Sequence, residues 1–523
     1  MASLRREENL NRLREQKIWD VVIIGGGATG LGSAVDAVSR GYKTLLLEAF
    51  DFAHGTSSRS TKLIHGGVRY LAQGNFGLVR EALHERGVLL RNAPHLVHRR
   101  EFVVPAYRWF DLPYYGIGLN LYDVMSGSLG LGHSRWISAS GVTARMPAIR
   151  SKGLRGGIVY TDGQFDDARL AISLARTLAD LGGTALNYVK VTGFTRREGR
   201  IAEVVARDSE TGEEWRVEAR SVINAAGVYV DSVRRLDDPE APSLMRPSQG
   251  AHLVIAPSFF PGDSALLVPR TDDGRVLFAI PWHDRVLVGT TDTPVDEVAS
   301  EPRPMSEEIG YLLGYLDRYL ERPPSIGDVL STFAGLRPLL RGAPGARTAK
   351  LSREHAVITS DTGLVTITGG KWTTYRRMAA DAVDRAMQVG KLAVTASATA
   401  TLNLHGWRAP ERVGASALAI YGSDAAAVAA LCDEHEEWSR PIDHALPYLA
   451  GEAIWAARHE AARCVADVLA RRTRALFLDA RASIAAAPTV AALLARELGR
   501  DSAWQAKQTA DFEILAGMYL PKT

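Results

Sequence analysis

The stretch DVVIIGGGATGLGSAVDAVSRGYKTLLLE at residues 20–48 decides the fold. Its first five residues form a short apolar run that stops at glycines, and Ala34, Val35, Ala37 and Val38 then recur at helical spacing until Arg40 and Gly41 end the pattern. A second apolar run, TLLLE, finishes at Glu48. Strand, glycine turn, helix and strand make a βαβ unit, whose crossover places both strands parallel in one sheet. Within the turn, Gly25, Gly27 and Gly30 spell GxGxxG. The tight turn, the close approach of backbone to a pyrophosphate and the helix packing each need a residue without Cβ. Glu48 follows Gly30 by 18 residues at the end of the next strand, where a carboxylate can accept hydrogen bonds from ribose hydroxyls. The motif predicts a dinucleotide and leaves FAD and NAD(P) both open.

Outward from this unit, residues 76–92 and 167–181 read as amphipathic helices, and 184–223 as a meander of three strands ending in INAAG. Short apolar runs between 249 and 293, separated by Pro, Gly and Asp, predict a second, mostly antiparallel sheet. Residues 355–370 return to strand character before a helix from Lys371 to about Met387, so the chain is expected to re-enter its first sheet there. Beyond about 400 an Ala-rich helical pattern with many arginines predicts a separate helical unit. The expected division is an N-terminal extension at 1–17 and a cofactor domain at 18–245 with inserted substrate-side segments near 100–155. A substrate domain at 246–350, a return to the cofactor domain at 351–395 and a helical domain at 400–523 follow.

With 46% hydrophobic and 23% charged residues over 523 positions, the composition excludes disorder, collagen and a coiled-coil rod. The balance of 62 basic against 59 acidic residues asks for no nucleic acid. Two cysteines, Cys432 and Cys464, exclude a disulfide framework, a zinc site and a dithiol centre, and imply a reducing compartment. No apolar run approaches the roughly 18 residues of a spanning helix, and the first 17 residues lack the apolar stretch of a secretory signal. A cytoplasmic location is expected. Glu301 to Glu308 and Asp433 to Glu437 read as solvated helix starts, and His95, His98 and His133 show no metal-ligand spacing, so no metal is assigned.

Instead of a third strand, residues 55–71 give GTSSRSTKLIHGGVRYL, a hydroxyl-rich run too polar for a core and too patterned for a linker. This run, together with IIGGGATGLGSAVDAVSRG at 23–41, GTTD at 289–292, GLRPL at 335–339 and GGKWTTYRRMA at 369–379, resembles the FAD-dependent glycerol-3-phosphate dehydrogenases. These belong to the D-amino-acid-oxidase-like flavoproteins. The resemblance is strong over 18 to about 390 and looser beyond, through DVLARRTRALFLD at 467–479. It implies an α/β fold: a Rossmann-like FAD-binding domain, an antiparallel-sheet substrate domain and a C-terminal helical domain. It also implies FAD contacts from Gly25, Gly27, Ala28, Thr29, Gly30 and Glu48; from Thr56, Ser57, Ser58, Lys62, His65, Gly66 and Gly67; from Ala226, Gly227, Thr290 and Asp292; and from Gly370, Lys371, Trp372 and Thr373. Gly370 precedes the helix expected near Lys371, whose free amides can face negative charge on a reduced flavin.

The implied reaction oxidises sn-glycerol 3-phosphate at C2 to dihydroxyacetone phosphate, by hydride transfer to FAD, with electrons passed to a membrane quinone, ubiquinone or menaquinone. A phosphate dianion is best held by Arg in bidentate fashion with Lys as point charge. Arg69, Arg337, Arg353 and Lys371 match family positions around the substrate, and Tyr70 and His252 are expected to complete the pocket. Arg337, between Leu336 and Pro338 in an apolar strand, needs an anionic partner. Catalysis is assigned to His65, Arg337 and Lys371, with His65 as general base and His252 next in line. Peripheral attachment to the inner face of the membrane is expected from two features: Tyr107, Trp109, Phe110, Tyr114 and Tyr115 beside Arg108, and the Arg-rich C-terminal region. A homodimer is one possible assembly. The competing readings are an oxygen-using glycerol-3-phosphate oxidase, an amino-acid or amine oxidase on the same scaffold, and a catalytically silent FAD-binding assembly protein.

Overall fold

The computed structural model of the protein describes residues 4–67, 71, 74–272, 274–341, 355–414 and 416–521. Arg69, Tyr70 and Arg353 lie outside the described residues.

The first sheet is built around the strand Ile18–Ile24, which pairs in parallel with Thr44–Leu47 on one side and with Glu214–Asn224 on the other. Thr184–Leu186 extends it in parallel beyond Thr44–Leu47, and Leu364–Gly369 lies parallel to Glu214–Asn224. The hairpin Val189–Arg197 and Arg200–Asp208 hangs from Glu214–Asn224. The segment expected as three strands therefore holds four, the first of them a member of the parallel sheet. The helices Ala28–Ser39, Asp167–Asp180 and Tyr375–Gly390 bury Leu31, Val35, Leu174, Leu178, Met378 and Val383 in one apolar layer with Val21 and Ile23. A sheet with parallel central strands must be covered in this way. Asp166 starts the helix Asp167–Asp180 by accepting from the Arg169 amide at 2.9 Å.

The second sheet runs in the order Thr293–Pro294, Ser248–Ile255, Arg285–Gly289, Leu277–Trp282, Ala265–Val268, Val97–Ala106, Gly156–Phe165 and Leu63–Ile64. Val329–Arg337 pairs antiparallel with Ser248–Ile255, and this register sets Ser248 opposite Arg337 and His252 opposite Phe333. Only the contact between Ala265–Val268 and Val97–Ala106 is parallel among the pairings described. The residues near 100–155 thus supply core strands of this sheet as well as the helix Asp111–Ser126 on its rim.

Beyond residue 400, the helices Ala425–Asp433, Ala450–His459, Ala480–Glu497 and Ser502–Gly517 pack around Trp455, Leu469, Phe477, Val490, Leu494 and Phe512, in a core that also takes in Val254, Trp282, Leu287 and Phe333 of the second sheet. This unit docks on the strand Val329–Arg337: the Thr332 amide donates to the Tyr519 carbonyl at 2.7 Å and Ser331 Oγ donates to the Leu476 carbonyl at 2.9 Å. Membrane contact was expected from the Arg-rich C-terminal region as a whole, and within that region the arginines of DVLARRTRALFLD face the protein interior. Arg471, Arg472 and Arg474 are buried among Asp51, Asp467, Asp166 and Asp167, because a guanidinium inside a protein persists only beside a carboxylate.

Candidate active site and cofactor cavity

The glycine turn after Ile24 opens one end of a continuous cavity of about 1620 Å³. Gly25 has φ of 111°, which side-chain-bearing residues avoid, and a Cβ there would stand 2.7 Å from the Ala225 carbonyl oxygen. A Cβ on Gly30 would fall 1.8 Å from the Gly25 carbonyl oxygen, so the third glycine serves packing of the helix against the turn and does not itself line the cavity. Gly27, Ala28 and Thr29 do, at the open N-terminus of the helix Ala28–Ser39. Glu48 faces them. Its Oε2 accepts from the Gly26 amide at 2.5 Å and its Oε1 from the Phe50 amide at 2.8 Å. Burial pushes its carboxyl up and these two amides pull against that rise.

The loop after Glu48 forms the next wall. Ser57 Oγ accepts from the Ala28 amide at 2.9 Å, Thr56 Oγ1 donates to the Leu336 carbonyl at 2.6 Å, and Trp372 Nε1 donates to the Ser57 carbonyl at 2.9 Å. Three distant segments are so fastened along one side. Opposite them, Ala226 and Gly227 follow the buried Asn224, whose amide nitrogen donates to the Val230 carbonyl at 2.9 Å. Gly370, Lys371, Trp372 and Thr373 also line the cavity. Here the helix starts later than the sequence suggests: Lys371 is extended, Trp372–Thr374 makes a single 3₁₀ turn, and the α-helix begins at Tyr375.

Beyond that wall the cations gather. Arg337 lies at the end of the strand Val329–Arg337 and lines the cavity. Its guanidinium donates to the Thr291 carbonyl at 2.9 Å, Thr290 Oγ1 at 3.1 Å, the Gln249 carbonyl at 3.3 Å and Asp292 Oδ1 at 3.4 Å. The GTTD motif thus positions this arginine from the neighbouring strand end. His65 lines the same region, its ring edge-on to Phe278 with centroids 6.3 Å apart, while its amide and carbonyl flank Thr373 Oγ1 at 3.4 Å. His252 is buried, stacked on Phe333 at 4.7 Å, and shares a hydrogen bond of 3.0 Å with Thr61 Oγ1. Burial, then the nearby charges of Lys62 and Arg337, hold its imidazole well below the usual histidine range. It is therefore neutral at neutral pH.

Besides Gly30, three residues expected at the cofactor stand outside the cavity lining. Lys62 is fully buried, its Nζ donating to Asp167 Oδ2 at 2.7 Å and the Ser58 carbonyl at 2.8 Å, and burial pulls it down to about 7 against the pull of Asp167. Ser58 faces inward, its Oγ on the Gly55 carbonyl at 3.4 Å. Gly66 packs where a Cβ would meet Leu83 and Tyr122. Alternation within a loop is not that of a strand, so neighbours of a lining residue can turn into the core. Sequence reading also missed Glu308. It was expected as a solvated helix start, yet it is buried and accepts from Thr291 Oγ1 at 2.7 Å, Thr293 Oγ1 at 2.7 Å and Gln249 Nε2 at 2.8 Å, directly behind Arg337.

At the cavity mouth lies the helix Asp111–Ser126. Phe110, Tyr114, Ile117 and Leu121 line the opening and are solvent-exposed, joined on the outer face by Trp109 at 68% and Val124 at 76% exposure. Tyr107 instead turns inward, its hydroxyl on the Arg150 carbonyl at 2.8 Å.

The residues present fit FAD: a Cβ-free turn at a helix N-terminus, a facing carboxylate, and one large cavity lined by that turn, by Ser57 and Trp372 and by the cations Arg337 and Lys371. The family model of FAD-dependent oxidoreductases matches residues 20–376, and that of the C-terminal domain of alpha-glycerophosphate oxidase matches 360–505. Mitochondrial glycerol-3-phosphate dehydrogenase of Homo sapiens is 39% identical over 531 residues, spanning 95% of this chain and 73% of that protein. A probable counterpart from Caenorhabditis elegans is 39% identical over 535 residues, spanning 96% and 74%. Among solved structures, the glycerol-3-phosphate dehydrogenase from Bacillus halodurans complexed with FAD superposes with a TM-score of 0.81 at 29% identity over 99% of each chain. The FAD-bound L-alpha-glycerophosphate oxidase from Mycoplasma pneumoniae superposes at 0.57 with 15% identity, over 73% of this chain and 97% of that one, a likeness of fold alone.

Proposed function

Because this chain belongs to the family of FAD-dependent glycerol-3-phosphate dehydrogenases, we propose that it oxidises sn-glycerol 3-phosphate to dihydroxyacetone phosphate and passes the electrons to a membrane quinone. The observation that carries this reading is that Arg337, Lys371 and His65 line the same cavity as the glycine turn and Glu48. Two cations and an imidazole in one cavity suit a phosphate ester with a neighbouring carbinol.

In this reading Arg337 binds the phosphate in a fixed orientation, since four oxygen acceptors hold its guanidinium before substrate arrives. Lys371 adds a point charge from the turn that precedes Trp372–Thr374. His65 takes the proton of the C2 hydroxyl as the C2–H bond breaks. FAD, when bound, supplies the two-electron acceptor for the hydrogen leaving C2. His252, neutral and fixed by Thr61, shapes the wall next to Arg337. The chain divides in this assignment into a cofactor part at 18–245 and 351–395, a substrate part at 246–350 and a helical part from 400.

Quinone and membrane belong to the same proposal. Among the described residues no helix is long and apolar enough to cross a membrane. Tyr114, Ile117, Leu121 and Val124 recur at helical spacing on the exposed face at the cavity mouth, and Arg108, Arg270 and Arg275 line that opening. Apolar groups ringed by cations suit the headgroup region of an anionic leaflet, from which an apolar quinone can reach the mouth.

The deciding experiment adds glycerol 3-phosphate anaerobically to the purified yellow protein and follows flavin absorbance. Prompt bleaching is expected. Bleaching only by an amino acid would place the chain with the amine oxidases, and none by either would overturn an enzymatic reading. Reduced protein is then offered a short-chain quinone or oxygen; faster reoxidation by oxygen would make it an oxidase.

A further inference from the structure

No residue beyond Met378 lines the cavity among the described residues, yet the helical C-terminal unit reaches both loops that wall it. Asp51, three residues after Glu48, is fully buried and receives two guanidiniums from that unit. Arg472 donates Nη1 to its Oδ2 at 2.6 Å and Nη2 to its Oδ1 at 2.9 Å, and Arg471 donates Nε to its Oδ2 at 2.5 Å. The same turn is stitched to the glycine loop, because the Ala53 amide donates to the Gly26 carbonyl at 2.9 Å and the Gly26 amide to Glu48. Arg474 reaches the second loop. Its Nη2 donates to the Ser58 carbonyl at 2.7 Å and to Asp167 Oδ1 at 3.2 Å, while Asp167 Oδ2 holds Lys62 and both the amide and hydroxyl of Ser60.

The backbone of the C-terminal segment is shaped for this reach. Consecutive residues of a regular α-helix diverge by about 100°, so Arg471 and Arg472 would not meet one carboxylate. Here Asp467–Arg472 is wound as a π-helix, and Arg474 has φ of 68°, a conformation that residues with a Cβ rarely adopt. The three guanidiniums thereby reach buried carboxylates: Arg471 and Arg472 meet Asp51, and Arg474 lies beside Asp166 and Asp167.

We propose that Arg471, Arg472 and Arg474 are positioning residues for the cofactor: they hold the loops around Asp51 and Ser58 in the form that binds FAD, so that C-terminal docking and FAD binding are coupled. The proposal rests on FAD lying along Gly25–Gly30 and Glu48–Ser57. Coupling between binding events is reciprocal, which gives a test on the unaltered chain. Amide hydrogen exchange of the full-length protein, with and without FAD, should slow at least tenfold in peptides covering 467–478. Unchanged exchange there beside protected 25–30 and 48–57 would overturn the coupling, whereas no protection at 25–30 and 48–57 would overturn the cofactor placement instead.

The second arm measures FAD affinity by quenching of flavin fluorescence. Arg472→Lys and Arg474→Lys keep the charge and lose the planar fork, and each should raise the dissociation constant at least tenfold. Arg463→Ala breaks a different contact of the same unit, the 2.7 Å pair with Glu210, and should leave it within twofold. Wild-type affinity in both lysine variants, or equal weakening by Arg463→Ala, would reduce the three arginines to general domain glue.

Discussion

Gly250→Ala tests the phosphate site without touching a charged group. Gly250 lies in the strand Ser248–Ile255 opposite Gly335, in backbone that an alanine adopts freely, so the fold itself should not suffer. A Cβ there would stand 2.4 Å from Arg337 Nη2 and 2.6 Å from Thr290 Oγ1. Reaching ordinary separation means a retreat of the guanidinium by roughly 1 Å, enough to stretch its bonds of 2.9 and 3.1 Å to Thr291 and Thr290 beyond useful range. The displaced Arg337 no longer meets the phosphate squarely. Loss of one charge-assisted hydrogen bond costs about 1.5–3 kcal/mol, equivalent to a rise of roughly 10- to 150-fold in the dissociation constant. Because the proposed reading assigns proton removal to His65 and not to Arg337, the limiting rate should fall much less than the affinity. Stopped-flow flavin reduction over a range of glycerol 3-phosphate gives both quantities. A substrate dissociation constant within twofold of wild type would refute the assignment of Arg337, as would a further loss when Gly250→Ala is added to Arg337→Ala, since the two changes act through one contact.

His65→Ala should slow anaerobic flavin reduction by ~10² to 10⁴ with FAD content unchanged; near-normal reduction would move the role of base to His252 or solvent. Ile117→Glu with Val124→Glu places two charges on the exposed face of the helix Asp111–Ser126 and should abolish flotation with anionic vesicles while flavin reduction by substrate stays normal; retained flotation would separate this face from the membrane. His405 is flanked by Asp180 at 2.6 Å and Asp424 at 2.8 Å, and although burial opposes its charge, these partners raise it above the usual histidine range. Its contribution to stability is thus fully present below about pH 6.5 and lost as pH rises through the raised value. Thermal midpoints at pH 6 and 8.5 should converge for wild type and His405→Gln at the higher pH, and parallel losses would exclude this origin.

What the sequence could reveal of the fold depended on how local the signal was. The unit from Ile18 to Leu47 was legible because every part of it, apolar run, glycine turn, helical period and second run, lies within one contiguous stretch. The helices Phe76–Asn92 and Asp167–Asp180 carry their own start signals, Asn75 accepting from the Leu78 amide and Asp166 from the Arg169 amide. The strand Val97–Ala106 was not legible. Its first half, VHRRE, is charged, and its partner Gly156–Phe165 arrives only after the whole rim helix Asp111–Ser126. Such pairing is decided by tertiary burial, which no local period records.

The same division explains which site residues could be found. Gly25, Gly27, Gly30 and Glu48 announce themselves because the turn needs their chemistry whatever surrounds it. Lys62 and Lys371 are harder to tell apart, since each stands in a polar, glycine-bearing loop and each is a cation that an anionic ligand would accept. What separates them is Asp167, 105 residues from Lys62 in the chain but 2.7 Å from its Nζ, which consumes that charge inside the protein. Glu308 makes the converse case. Its position three residues after Met305 marks a helix start, and it does accept from the Met305 amide at 2.9 Å, but its carboxylate also collects Thr291, Thr293 and Gln249 from beneath the GTTD turn. A carboxylate so used cannot compete for Arg337. The guanidinium donates to carbonyls, a hydroxyl and the carboxylate of Asp292, so in the proposed reading the strength of the phosphate site depends on where Glu308 spends its lone pairs as well as on Arg337 itself.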